Sequence, residues 1–221
     1  MSKFFDNLET RSDDERASDL AKLIPLQIEN AKENSDAFGE ILRTVEPTEV
    51  NSVEDLTKLP VLRKSELVRL QAKSPPLGGL IAGSVQDLNQ IFQSPGPIYE
   101  PGMVKKDWWR SARALNAAGI GKGDIVQNCF SYHFTPAGML SEQGILAVGA
   151  TVFPAGTGQT ELQARAASEI GVTAYIGVPD FLQIILDKGD ELGLDLSKAV
   201  SYTHLRAHET LRYLVCRLLL E

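Results

Sequence analysis

The chain has 221 residues, of which 43% are hydrophobic and 23% charged, and its formal net charge is −7. That balance is ordinary for a soluble globular protein of one large or two small domains. An acidic surface argues against nucleic acid or an anionic membrane as the main partner.

Two cysteines, Cys129 and Cys216, stand outside any C-x-x-C pair or zinc-spaced His cluster, so neither a disulfide framework nor a metal site is expected. The N-terminal "MSKFFDNLETRSDDERASD" has no apolar h-region. No stretch approaches the roughly 20 apolar residues of a membrane helix. The expected location is cytoplasmic, with no membrane partner.

Residues 13–34 read as a helix, with Leu20, Leu23, Ile24, Ile28 and Ala31 at helical spacing and acidic residues in the first turn. A second helical unit is predicted near Ser52, where "SVED" resembles a capping box with Asp in place of Glu. Pro60 turns the chain, and a short helix starts at about Lys64. Residues 74–83, rich in Pro and Gly, read as an irregular connection.

From Asn89 the pattern changes. "LNQIFQ" predicts a strand and residues 94–102 a Pro-rich loop. "VKKDWWRSARALNAAGI" predicts a helix ending at Gly119, and "DIVQNCF" a strand. "TPAGMLSEQGILAVG" predicts a helix with Thr135 at the N-cap and Pro136 at N1. "ATVFPA" is a strand, "TELQARAASEIG" a helix, "VTAYIGV" a strand, and "PDFLQIILDKGDELG" a helix with Pro179 in its first turn. This alternation predicts an α/β fold: an N-terminal helical segment, residues 1–88, then a mainly parallel sheet covered by helices over residues 89–200. Ligands in such folds bind at the carboxyl ends of the strands, which points to residues 94–102, 130–135, 154–159 and 177–180.

Residues 201–221, "SYTHLRAHETLRYLVCRLLLE", break the pattern, and "GLDLSKAV" before them leads toward a strand that does not properly arrive. The segment resembles translated adapter read-through and is expected to be non-native. His204 and His208, four apart, could begin a zinc site with Glu209 and Cys216, but a chance Leu-rich reading frame explains them better.

Three stretches could carry chemistry. "AAGIGKGD" follows a helix and leads into a strand, the reverse of a dinucleotide loop, and reads as a helix C-cap and turn. "AGTGQTE" follows a strand and opens a helix. Gly156 and Gly158 allow close backbone approach, and Thr157 and Thr160 add hydroxyls near a positive helix end. A structural turn with an N-cap Thr explains the same residues. "CFSYHFTPAGM" sets Phe130, Tyr132, His133 and Phe134 above small residues Ala137 and Gly138, which makes either a slot for an acyl or aryl group or ordinary core. No G-x-S-x-G nucleophile elbow occurs.

The runs "LPVLRKSEL", "IFQSPGPIYEPG", "WWRSARALNAAGIGKGDIVQNCFSYHFTPAGM", "GATVFPAGTGQTELQ" and "GVTAYIGVPDFLQIIL", in this order from about Val53 to Val200, resemble the N-terminal half of a phenylacetate–CoA ligase of the adenylate-forming, AMP-binding superfamily. The resemblance implies a two-step reaction. ATP and a carboxylic acid give an acyl-adenylate and pyrophosphate, and the CoA thiol then displaces AMP; Mg²⁺ normally assists. It implies a phosphate loop at 94–101, with Ser94, Gly96 and Tyr99 in it, where Ser94, Gly96 and Pro101 match the family pattern. Both threonines and the second glycine of that pattern are absent, Pro95 and Pro97 bring no N–H, and Glu100 adds negative charge. It further implies an acyl pocket lined by Tyr132, Phe134 and Gly138, with Gly156, Thr157 and Gly158 nearby and Pro179 opening the next pocket-side helix. The family's adenine segment, ribose-binding Asp and C-terminal catalytic Lys have no counterpart, so the chain is expected to be inactive alone. The expected partner is a small carboxylic acid of aryl or aliphatic type. The alternative is a non-catalytic acyl-binding relative with a degenerate phosphate loop.

Overall fold

A computed structural model describes residues 3–197 and the backbone of residues 201–203. Helix α1, Asp13–Asn34, opens on a reciprocal cap: Glu15 N–H donates to Ser12 Oγ, and Ser12 N–H to the Glu15 carboxylate. Two orphan donors are thereby satisfied, and three acidic residues face the positive helix end. Helix α2, Asp36–Ile41, folds back so that Ile28, Leu42 and Val50 form a small separate cluster. Leu23, placed on the core stripe by its spacing, is more than half exposed, as is Leu26.

The helical unit expected near Ser52 is a 3₁₀ turn, Glu54–Lys58. Asp55 N–H does donate to Ser52 Oγ, but the Asp55 carboxylate reaches back to Asn51 N–H. Helix α3, Lys64–Lys73, starts where expected.

The expected loop at 94–102 is a β-hairpin. Strands β1, Gln90–Ser94, and β2, Ile98–Gly102, pair antiparallel with Ser94 opposite Ile98 and Phe92 opposite Glu100. They form a sheet of their own, so the first predicted strand does not belong to the parallel sheet. The long helix expected over 104–120 shrinks to α4, Ala112–Ala117. Asp107 and Arg110 hold left-handed backbone angles that interrupt it, and the Asp107 carboxylate accepts from Ala112 N–H.

The parallel sheet comprises β3, Ile125–Asn128; β4, Thr151–Phe153; β5, Ala174–Ile176; and β6, Ser201–Thr203, in the order β4-β3-β5-β6. A strand therefore does follow "GLDLSKAV": residues 201–203 pair parallel with 174–176. Residues 204–221, with both histidines and Cys216, lie outside the described residues. Helix α5, Ala137–Ala147, joins β3 to β4; α6, Thr160–Ile170, joins β4 to β5; and α7, Pro179–Glu191, follows β5.

Alternation along the strands assigns the two faces. Val126, Ala174 and Ile176 pack with Leu115 of α4 and Ile145 of α5. Cys129 and Tyr175 pack on the other face with Ala164 of α6 and Ile185 of α7. Each large aliphatic side chain so buried contributes about 1.5–3 kcal/mol. The α4–α5 crossing is close, since a Cβ at Gly144 would collide with Ser111 and Leu115. The result is a three-layer α/β architecture.

Candidate functional site

The connections define where a crevice must open. From β3 the chain leaves through α5 toward β4, and from β5 it leaves through α7 toward β6 on the opposite side. Neighbouring strands β3 and β5 thus send their loops apart at their carboxyl ends. Open α/β sheets bind ligands at such a switch point. Cys129 N–H continues the ladder to Ile176 C=O at 2.8 Å and forms the floor.

Asn128, the last residue of β3, is fully buried on the α5 side of that floor. Its Nδ2 donates to the Tyr132 hydroxyl and to Gly138 C=O, each at 2.8 Å, and its Oδ1 accepts from Phe130 N–H at 3.2 Å. The Tyr132 ring lies against Gly138, where an added Cβ would come within 2.8 Å of the ring and 2.7 Å of Ser131 C=O. Only glycine allows that approach. Burial, with the Glu142 carboxylate next in importance, raises the Tyr132 phenol well above its usual pKa. Helix α5 starts one residue later than expected: Pro136 is the N-cap, and no side chain caps the helix.

The loop after β4 is held from below. Gly156 N–H donates to Asn128 C=O at 2.9 Å. Gly156, Gly158 and Gln159 all have positive φ, so the N-cap of α6 is Gln159 in a left-handed conformation rather than a threonine. Thr157 and Gly158 are exposed at the rim. After β5, Val178 is the N-cap of α7 and Pro179 its first residue. The Tyr175 hydroxyl donates to Val178 C=O at 2.9 Å. Burial pushes the neighbouring Cys129 thiol up to about 12.

The hairpin meets this crevice along one edge. Gln93 N–H donates to Phe134 C=O at 2.8 Å. Phe134 has a left-handed backbone, φ 59°, and the residue is 76% exposed. The Ser94 hydroxyl bonds the Glu100 carboxylate across the hairpin. The register puts Ser94 and Tyr99 on opposite faces. On the other edge, Gln71 of α3 donates to Tyr99 C=O at 2.7 Å and accepts from Tyr99 N–H at 2.8 Å. Tyr99 there lines a groove of about 530 Å³ with Leu67, Leu77, Leu80 and Ile98. A triphosphate needs convergent N–H donors and cationic or neutral surroundings. At this tip Pro95 and Pro97 supply no N–H, and a carboxylate already occupies the Ser94 hydroxyl, so the hairpin alone does not make a phosphate cradle.

The structure thus gathers Tyr132, Gly138, Gly156, Thr157, Gly158 and Pro179 on the three connections that leave β3, β4 and β5, with Gly138 in the first turn of α5 and Pro179 at the start of α7. Phe134 sits at the junction with the hairpin that carries Ser94 and Gly96, while Tyr99 turns away from them. Sequence reasoning missed Asn128 and also Gln163 of α6, a buried amide that accepts from Gln127 Nε2 at 2.7 Å. The signal was present: Gln127 and Asn128 are consecutive polar residues in a strand covered on both faces, and buried polar groups require partners. Among the described residues no cluster of three or more His, Cys, Asp or Glu is placed to hold a metal ion.

No protein-family model matches the chain. The phenylacetate–coenzyme A ligase of Aromatoleum evansii is 27% identical over 198 residues, 85% of this chain and 44% of that enzyme. Over most of its length the chain is similar to phenylacetate–coenzyme A ligases. The phenylacetate–coenzyme A ligase of Escherichia coli is 28% identical over 207 residues, 87% of this chain and 45% of its own length. A 2-hydroxyisobutyryl-CoA ligase, with 2-HIB-AMP and CoA bound, shares the fold at TM-score 0.80 and 18% identity over 89% of this chain and 44% of its own. The chain therefore spans less than half the length of the ligases it matches. No helix among the described residues is long and apolar enough to cross a membrane.

Proposed function

We propose that this chain is the acid-binding part of an ATP-dependent acyl- or aryl-CoA ligase and is inactive by itself. The observation that carries the proposal is that ligase-like sequence, over 85% of the chain, folds so that its loops converge on the switch-point crevice of the sheet. In this reading residues 89–200 form the acid-binding unit and residues 1–88 a helical flank. Tyr132 presents its ring over Gly138 as one wall, Gly156, Thr157 and Gly158 form the rim, Pro179 closes the far side and Phe134 covers the mouth. Tyr132's hydroxyl is taken by Asn128, so the wall is an aromatic face suited to an apolar acid. ATP, Mg²⁺ and CoA would engage residues outside those described here as well as the crevice. The test titrates the 221-residue chain with phenylacetate, by calorimetry, and assays ATP–pyrophosphate exchange on the product of the complete reading frame. Binding by the first and exchange by the second are expected; the absence of both binding in the first and exchange in the second overturns the proposal.

The Ser94–Glu100 bond and the two prolines favour a second reading, a carboxylic-acid-binding relative without nucleotide activation. Acid binding without exchange by the complete product is its signature.

A further inference from the structure

Gln163 is 4% exposed and sits on the first turns of α6, on the face opposite Asn128. Its side-chain amide is saturated. Oε1 accepts from Gln127 Nε2 at 2.7 Å and from Cys129 Sγ at 3.0 Å, both on the central strand or directly after it. Nε2 donates to Gly156 C=O and Gly158 C=O, each at 2.9 Å. One amide therefore ties the floor of the crevice to both glycine carbonyls of its rim. A loop with three consecutive non-helical, mostly left-handed residues has no ladder of its own to hold its shape. Turning two of its carbonyls inward fixes which way the intervening peptide units face.

We propose that Gln163 is a positioning residue that fixes the 156–158 rim and through it the affinity for the carboxylic acid; the second half of this rests on the acid-binding reading above. No other amino acid supplies this pattern at this length, because the site needs two donors on one branch and an acceptor on the other. Glutamate has the same shape but offers no donor when ionised, and would face two carbonyls.

The test is Gln163→Glu in the full chain, read by amide hydrogen exchange of peptides spanning 155–160 and by phenylacetate titration, each at about pH 8 and about pH 5. Burial raises the pKa of the introduced carboxyl, and its protonated form regains one donor. Cys129 and Tyr175, the titratable side chains packed beside the amide, are both held up by burial and stay protonated over this range. Rim exchange about tenfold faster than wild type at the higher pH, with acid affinity about tenfold weaker and both partly recovered at the lower pH, is the expected result. Rim exchange equal to wild type at both pH values overturns the positioning role. A loosened rim with unchanged acid affinity overturns its link to the acid. If wild type itself binds no phenylacetate, the acid-binding reading fails, and the exchange data alone decide whether Gln163 holds the rim. Gln163→Asn, uncharged and one methylene shorter, gives the same exchange comparison should the glutamate variant not fold.

Discussion

Gln93 and Phe134 are joined backbone to backbone, an N–H to C=O bond of 2.8 Å that runs from the separate hairpin to the loop after the central strand. This bond, with that from Gln90 Nε2 to Met139 Sδ, couples two regions some 40 residues apart in sequence that the ligase resemblance assigns to different parts of one reaction. It also explains why Phe134 keeps a left-handed backbone: its carbonyl must face away from its own loop to reach β1.

Left-handed backbone costs a residue with a Cβ about 1–2 kcal/mol, and Gly gives back roughly 0.5–1 kcal/mol through the unfolded chain. Phe134→Gly keeps the carbonyl, loses little buried surface and is expected to leave the fold equally stable or up to about 1 kcal/mol more stable. Acid affinity should fall about tenfold as the apolar cover of the mouth is lost. A thermal melt paired with phenylacetate titration checks both. A midpoint lowered by several degrees would mean that the Phe134 ring supports the fold.

Glu100→Ala frees the Ser94 hydroxyl and removes a negative charge from the hairpin. If the hairpin faces the phosphates, pyrophosphate affinity of the chain rises at least about fivefold, as expected when a like charge is taken from an anion site. Unchanged affinity by calorimetry would place the phosphates elsewhere.

Alkali should unfold the chain early. Burial raises the Cys129 thiol from a usual 9.0 to about 12. Above pH 9 the unfolded chain releases this proton while the folded chain keeps it, so stability is full below that value and falls as pH rises toward about 12. Tyr132 and Tyr175, also raised by burial, add to the loss above their usual 10.0. Denaturant midpoints across this range should decline steeply. Cys129→Ala should make the decline shallower by about one proton; an identical slope would show that the thiol does not contribute.

The layers were legible in the sequence because alternating β and α segments with strong apolar character leave few other ways to bury themselves. "DIVQNCF", "TVF" and "AYI" became strands of one sheet for that reason. The hairpin reads in sequence as a strand and a loop, since Pro95, Gly96 and Pro97 mark a turn but say nothing of the strand that returns. Sequence alone makes helix α4 too long because "VKKDWW" has helical composition, whereas Asp107 and Arg110 adopt left-handed angles that no pattern announces. The three loops were found by their position after strands and by their small residues. Asn128 and Gln163 were not, because what they do depends on partners 10 and 36 residues away in sequence.

The Gln71–Tyr99 pairing has one more effect. A two-stranded sheet standing by itself has two open edges, and such edges invite added strands from other chains. On β2 the outward-facing N–H and C=O of Tyr99 are satisfied by the Gln71 amide, which behaves as a one-residue strand. The next outward position, two residues on, is Pro101, which has no N–H to offer. On β1 the Phe134 carbonyl takes the outward N–H of Gln93. The proline-rich stretch that makes a poor anion cradle is thus well built as a guard against intermolecular β-pairing at the outward edges of the hairpin.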